Sequence, residues 1–218
     1  MQLLILCGGR GKRLRPFTDE IPKPLLEIHG KPIIEYQIDF FRRHGIEDII
    51  LCSGYKHELF KEKYPELTHS IEKEGLGTAG AIKNAKKLIK GDFIVTNGDN
   101  IFSFNFRKML KKFEDVKNPL LALTRLVSPY GIVELEGERV VSFKEKPELN
   151  HWINAGITIF TYESLDYFPE VGSLEYDVYP KLAKDRKLFA FKMMEGFWLA
   201  VDTPKDLERA KELLVNLK

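Results

Sequence analysis

This 218-residue chain has only two cysteines and five histidines, and neither set shows the spacing of a thiolate or imidazole metal centre. Cys7 and Cys52 each lie in an apolar, strand-like run without paired ligand spacing, so buried reduced thiols are expected, and neither a disulfide nor a zinc site is. His29, His44, His57, His69 and His151 are scattered and form no ligand pair. Charge of one sign is also missing. The 34 lysines and arginines against 32 acids leave +2, too small an excess to argue for nucleic acid or membrane partners, so any positive potential must be local. No apolar run approaches membrane-spanning length, and the first, Leu3 to Cys7, has no basic flank before it. A cytoplasmic location is the resulting expectation. No internal repeat or low-complexity tract is visible.

The 44% apolar and 30% charged content is that of a soluble globular protein. The length suits one sizeable core better than two generous domains, so a single domain over 1-218 is expected. Short apolar runs (Leu3 to Cys7, Asp48 to Cys52, Asp92 to Thr96) alternate with amphipathic segments (Pro32 to His44, Thr78 to Ile89), the pattern of βαβ units. In the segment after Lys31, Pro32 is read in the first helical turn, Ile34, Ile38 and Phe41 have helical spacing, and Gly45 is a stop. From Gly131 to Phe160 the pattern changes to strand runs, Ile132 to Leu135, Val140 to Lys144 and Ile153 to Phe160, with a turn at Glu136-Gly137-Glu138. Thr203-Pro204-Lys205-Asp206 opens an amphipathic closing helix. The fold class expected is α/β: a Rossmann-like mixed, mainly parallel sheet flanked by helices, with a small β-rich insertion.

The first apolar run empties into Gly8-Gly9-Arg10-Gly11-Lys12-Arg13-Leu14-Arg15-Pro16, and Lys23-Pro24-Leu25 follows closely. Glycines let backbone N–H groups approach an anion, and Arg13, Arg15 and Lys23 supply charge that an apolar core would reject, so the loop is suited to phosphate. It lacks the GxxxxGK[ST] spacing of a P-loop, and Leu14 stands where a dinucleotide fingerprint needs its third glycine. A literal GxGxxG does occur at Gly75, Gly77 and Gly80, with Asp99 nineteen positions later. Against a dinucleotide fold, the preceding Leu67 to Lys73 is polar rather than a buried first strand, and Asp99 sits in a glycine turn. Asn97-Gly98-Asp99 follows a strand, placing a carboxylate where open α/β sheets bind ligands; an Asx turn is the alternative reading.

The opening loop resembles the signature of the sugar nucleotidyltransferases, the sugar-1-phosphate nucleotidylyltransferase or NDP-sugar pyrophosphorylase family: GGxGxRLxPxT followed by PKP. Its fixed positions are met by Gly8, Gly9, Gly11, Arg13, Leu14, Pro16, Thr18, Pro22, Lys23 and Pro24. The resemblance spans the whole chain and implies transfer of a nucleoside monophosphate from an NTP to a sugar 1-phosphate, with release of pyrophosphate. It implies catalytic roles for Arg13 and Lys23, and nucleotide contacts from Leu6, Gly8, Gly9, Gly11, Gly77, Thr78 and Gly80. It further implies a sugar-phosphate site of Gly98 together with Tyr130, Gly131, Glu145, Lys146 and Asn154 at the β-rich insertion, and Mg²⁺ on Asp99. The family's WxDxGTP pattern is altered here, because Ala200 replaces the usual second acid and Asp202 lies two residues later, roughly 6 to 7 Å further along a strand. The second metal role is carried to Asp202, with helix capping beside Thr203 as the competing explanation. The hexapeptide repeats of members with a β-helix domain are absent, which removes an acetyltransferase role.

Mannose 1-phosphate with GTP is the first choice of substrates, because small members with a similar Trp152-Ile153-Asn154-Ala155-Gly156 strand often belong to that branch. Glucose 1-phosphate with dTTP, UTP or CTP is the alternative, and the later Asp202 leans toward CTP. From another class comes a nucleotide-sugar sensing subunit without turnover. Ala200 invites that reading, whereas Arg13, Lys23, Asp99 and Lys146 oppose it. The expected partners are the two small-molecule substrates and a second copy of the chain in a homodimer.

Overall fold

The computed structural model describes residues 1–73 and 75–215. The first half runs β1 (Gln2–Leu6), β2 (Glu27–Ile28), β3 (Lys31–Pro32), α1 (Ile33–Arg42), β4 (Ile49–Ser53), α2 (His57–Lys63), β5 (Thr68–Ile71), α3 (Gly77–Asn84), β6 (Phe93–Asn97) and β7 (Asn100–Ser103). The second runs α4 (Phe106–Val116), β8 (Leu120–Val127), β9 (Ile132–Glu136), β10 (Arg139–Lys144), β11 (Glu148–Phe160), α5 (Tyr179–Lys184), β12 (Phe189–Lys192), β13 (Phe197–Ala200) and α6 (Pro204–Val215).

Seven strands form the central sheet in the order β12-β8-β11-β6-β1-β4-β5. The pairs β6/β1, β1/β4, β4/β5 and β8/β12 are parallel, and β11 runs against both of its neighbours, so the sheet is mixed and mainly parallel as expected. Parallel strands covered on both faces need continuous apolar runs. In β1, Leu3 and Ile5 enter one cluster and Leu4 the opposite one, all fully buried. The chain leaves β1 toward β4 and β5, then returns to β6 on the other side of β1. That reversal of strand order opens a crevice at the carboxyl ends of β1 and β6, where Leu6 pairs with Asn97.

Several boundaries differ from the sequence reading. Pro32 is extended and ends β3 ahead of α1 instead of sitting in its first turn, because it pairs with Glu27. The segment from Thr78 to Ile89 is a short helix, α3, followed by a separate 3-10 turn at Lys86–Leu88. The polar run before Gly75 does contain a strand, β5. It is an edge strand, and an edge strand has no need of a buried apolar run. The β-rich region divides: β9 and β10 form a separate two-stranded hairpin, whereas β11 starts five residues earlier than expected, at Glu148, and joins the central sheet through two register irregularities.

On one face of the sheet, α1 meets an aromatic cluster, with Phe41 edge-on to Phe40 and Phe106 at 5.2 Å between centroids in both cases. Phe41 is fully buried. Phe41→Ala is expected to cost about 3–5 kcal/mol of unfolding free energy, measured by urea denaturation, since both the transfer term and the residual cavity oppose it. A loss under about 1 kcal/mol would show that the cluster collapses around the gap.

Candidate active site

The crevice is a cleft of about 970 Å³ walled by the opening glycine loop, Lys23, the β4–α2 connection, Glu72, the start of α3, Asn97, Asp99 and Asp202. Its wall carries the cations Arg10, Lys12, Arg13, Lys23, Lys56 and Lys73 against the acids Glu72, Asp99 and Asp202. The positive potential is therefore local, as the near-neutral composition requires.

The glycine loop is pinned from behind and open in front. Leu14 is fully buried among Ile28, Ile33 and Val201, and Thr18 Oγ1 donates to the Gly11 carbonyl at 2.9 Å. Gly11 has φ +59°, and an added Cβ would lie 3.0 Å from both Lys23 and Thr18, so glycine is required there on two counts. Gly9 faces open space. Arg15 turns away from the cleft to pair with Asp19 at 3.1 Å.

Lys23 is the centre of the site. Its Nζ lies 2.6 Å from Asp99 Oδ2 and 2.6 Å from Asp202 Oδ1, and Arg13 Nη2 donates to the same Asp202 oxygen at 2.8 Å. The Lys23 side chain is only 9% exposed. A buried ammonium is tolerable because both acids meet it. Asp202 reaches this point because Ala200 pairs with Asn100 and the Val201 N–H donates to the Asp99 carbonyl at 3.0 Å, which ends β13 directly over the β6–β7 turn. The helix cap next to it is Thr203, whose Oγ1 accepts from the Asp206 N–H at 3.3 Å, while Asp206 Oδ2 accepts from the Thr203 N–H at 2.8 Å. Capping does not occupy the Asp202 side chain.

At the opposite wall, Gly77 (φ +75°) and Thr78 open α3, and Thr78 Oγ1 accepts from the Leu174 N–H at 2.8 Å. Gly80 packs α3 against the Glu170 carbonyl, with which a Cβ would collide, and is not part of the cleft wall. Glu72, passed over in the sequence as one of a polar run, is part of that wall. It follows β5, accepts from the Leu76 N–H at 3.3 Å, and fills the space above Gly8 and Gly54 that side chains there would take. Burial raises its carboxyl pKa, and the Leu76 N–H partly offsets this. Behind it, burial raises the Cys7 thiol well above its ordinary value and raises Cys52 to about 12, so neither is a nucleophile near neutral pH.

The structure thus gathers Leu6, Gly8, Gly9, Gly11, Arg13, Lys23, Gly77, Thr78, Asp99 and Asp202 around one cleft. The remaining expected residues lie outside its wall. Gly98 is buried beneath it, donating to the Leu6 carbonyl at 2.9 Å. Tyr130 is 75% exposed, Gly131 packs under Phe143 and Glu145, and Lys146 (φ +46°) lies 3.5 Å from Glu145. Asn154 Oδ1 accepts from the Gly156 N–H at 2.7 Å, and Gly156 packs against Asn97 of the cleft wall, so this second group adjoins the first.

Residues 2–216 match the Nucleotidyl transferase family, and the chain belongs to it. Within that family it is a sugar nucleotidyltransferase member. It is similar to mannose-1-phosphate guanyltransferase 2 of Candida glabrata, at 37% identity over 227 residues that cover 94% of this chain and 62% of that protein. It is also similar to the D-glycero-alpha-D-manno-heptose 1-phosphate guanylyltransferase of Aneurinibacillus thermoaerophilus, at 36% identity over 230 residues that cover 98% of each. In fold it resembles the crystal structure of HddC from Yersinia pseudotuberculosis complexed with GMP-PN, with a TM-score of 0.78 and 28% identity, covering 98% of this chain and 99% of that one.

The Glu72 environment fixes the sign of a pH effect. A carboxyl whose pKa is raised on folding favours the folded state while protonated, and that advantage is lost as pH rises through the folded value. Glu72→Gln keeps the acceptor for Leu76 without the buried charge. It is expected to raise the melting temperature near pH 7.5 and to leave it unchanged near pH 4, as read by thermal melts at the two pH values. An equal shift at both would contradict the assignment.

Proposed function

We propose that the cleft transfers a nucleoside monophosphate from an NTP to a sugar 1-phosphate, with GTP as donor and mannose 1-phosphate as acceptor. The observation that carries this is the convergence of Lys23, Asp99 and Asp202 beside the glycine loop. Two carboxylates already grip one positive charge, and a pair of acids is the donor set that Mg²⁺ takes before completing its shell with phosphate and water. Asp99 and Asp202 would therefore hold Mg²⁺, which when bound neutralises charge on the polyphosphate.

The chain's own residues do the positioning. The loop from Gly8 to Gly11 presents backbone N–H groups to the polyphosphate. Lys23 has three donors, of which the two acids engage two, leaving one for the α-phosphate; Arg13 has a free fork of donors for the leaving pyrophosphate. An oxygen of the sugar phosphate attacks the α-phosphorus, the bond to the β-phosphate bridging oxygen breaks, and pyrophosphate departs with that electron pair. A phosphate monoester is already ionised near neutral pH, so no general base is required. Glu72 supports guanine, because a carboxylate matches the N1–H and N2–H donors on that base's edge. By this reading Gly77 and Thr78 border the nucleoside, Gly80 holds α3 in place for them, and Gly98 supports the Asp99 turn. Tyr130, Gly131, Glu145, Lys146 and Asn154 take the sugar phosphate next to the cleft.

Residues 1-218 then act as a single nucleotidyltransferase domain, in the cytoplasm. Among the described residues no helix is long and apolar enough to cross a membrane. The assay is a matrix of five nucleoside triphosphates against several sugar 1-phosphates, scored as phosphate after pyrophosphatase. GTP with mannose 1-phosphate should lead, Asp99→Asn and Lys23→Ala should each lose roughly 10²- to 10³-fold in turnover, and Glu72→Gln should narrow the preference for GTP. Nucleotide binding without pyrophosphate release would favour the sensing subunit instead.

The homodimer also rests on an observation. Val133, Leu135, Val140 and Phe143 share one face of the β9–β10 hairpin, and all four are exposed. An isolated hairpin is marginal in water, and an uncovered apolar face marks an interface. The tip is net acidic (Glu134, Glu136 and Glu138 against Arg139) and the base net basic (Lys144 and Lys146 against Glu145), so two copies stacked antiparallel bring tip onto base. Phe143→Lys is expected to convert a dimer to a monomer in sedimentation velocity; a wild-type chain that is monomeric at 100 µM or so would end this reading.

A further inference from the structure

Gln37 lies on α1, is 1% exposed, and its Nε2 donates to two carbonyls, Asn97 O at 2.9 Å and Asn100 O at 2.7 Å. These carbonyls mark the two ends of the turn between β6 and β7 that carries Asp99. Its Oε1 is buried and has no partner among the described residues. An apolar side chain of the same volume would remove that unpaired acceptor but would also take this donor from both carbonyls. What the amide supplies is a two-point clamp on the turn.

The clamp continues into both neighbouring parts of the site. Asn100, 2% exposed, donates from Nδ2 to the Ala155 carbonyl at 3.1 Å, and Trp198 Nε1 donates to the same carbonyl at 2.6 Å. Ala155 lies between Asn154 and Gly156 on β11, and Trp198 lies on β13, the strand that delivers Asp202. Gly156 is at φ +68°, and a Cβ there would sit 2.8 Å from Asn97 Nδ2, so this backbone is seated tightly against the turn. One buried polar network therefore fixes the Asp99 turn, the strand that bears Asn154 and the approach to Asp202.

We propose that Gln37 is a positioning residue: without touching any reacting group, it fixes the β6–β7 turn so that the Asp99 carboxylate meets Asp202 at one cation position, and it holds that turn in register with β11. The inference rests on the reading of Asp99 and Asp202 as the metal-holding pair. Groups of this kind, one step behind a metal ligand, shift metal affinity or activity by about 10- to 100-fold when replaced.

The test compares Gln37→Met, near-isosteric without donors, and Gln37→Glu, near-isosteric with acceptors in place of the donors, with the wild-type chain. Three quantities are read per folded molecule, with the folded fraction taken from near-UV circular dichroism. They are the affinity of the nucleotide-free protein for Mn²⁺ by electron paramagnetic resonance, the Mg²⁺ concentration that half-saturates turnover, and kcat against KM for the NTP. Mn²⁺ affinity and kcat should fall by about 10-fold or more, and half-saturating Mg²⁺ should rise to match, while KM for the NTP moves by less than about 3-fold. A merely structural role would lower the folded fraction and leave the per-molecule metal affinity unchanged; that result, or wild-type values in both variants, overturns the proposal. If one variant fails to fold, the other carries the comparison. Asp99→Asn is measured alongside. If it too keeps Mn²⁺ affinity and turnover, the metal-pair reading has failed; if only the Gln37 variants are silent, the positioning role alone has.

Discussion

The site is organised around one ammonium held by two carboxylates. Asp99 and Asp202 would repel each other at the mouth of a low-dielectric cleft if no cation lay between them. Lys23 lies 2.6 Å from each, across sequence separations of 76 and 179 residues. The two contacts tie three distant segments: the arm that follows the glycine loop, the turn after β6, and the connection from β13 to α6. Because the ammonium is nearly buried it cannot trade these partners for water cheaply, so the three segments are fixed together.

The sheet makes that meeting possible. With β1 between β6 and β4, and Leu6 registered on both Asn97 and Cys52, every chain segment that leaves this end of the sheet emerges into one crevice. The glycine loop, the Asp99 turn and the Gly54 connection follow from that register. Asp202 arrives by another route, since β13 pairs with β7 in a small separate sheet and so extends the Asp99 turn outward. That pairing puts Ala200 beside Asn100 and leaves the carboxylate two residues on to reach Lys23. A shift of two positions keeps the side chain on the same strand face, and the acid is still delivered to the shared cation.

What was legible in the sequence follows from how local its cause is. The glycine loop, the run of β1 and the helix start at Thr203 are written in adjacent residues, and they could be read. The mainly parallel sheet was legible from the alternation of buried runs with amphipathic segments. Glu72 was not, because its character comes from Gly8 and Gly54, which lie beside it only once β5 has joined the sheet edge. The burial of Lys23 was hidden for the same reason: a lysine is read as solvated until both of its acids are known to be near. Gly80 was legible as a required glycine but not as a packing contact, since the Glu170 carbonyl that excludes a side chain there is ninety residues away. β11 was read short because Glu148 to Trp152 is polar, and only its pairing with Arg125 and Val127 of β8 makes it strand.

The charge balance of the cleft bears on the proposed reaction, in which a nearly neutral chain receives two polyanions. Asp99 and Asp202 are already matched by Lys23 and Arg13, so the innermost pair adds little net field. Among the described residues the excess comes from the rim, where Arg10, Lys12, Lys56 and Lys73 line the opening with Glu72, and Lys56 is paired with Glu20 at 3.1 Å. Rim cations draw an anion in at long range and are weakened by salt, whereas the inner cluster acts at contact distance and is shielded from it. Encounter and commitment are therefore served by different residues. The buried ammonium holds the acids in place, and in the proposed reaction the exposed guanidinium of Arg13, 72% accessible and anchored through a single oxygen of Asp202, is the group with freedom to turn from that acid to an incoming phosphate.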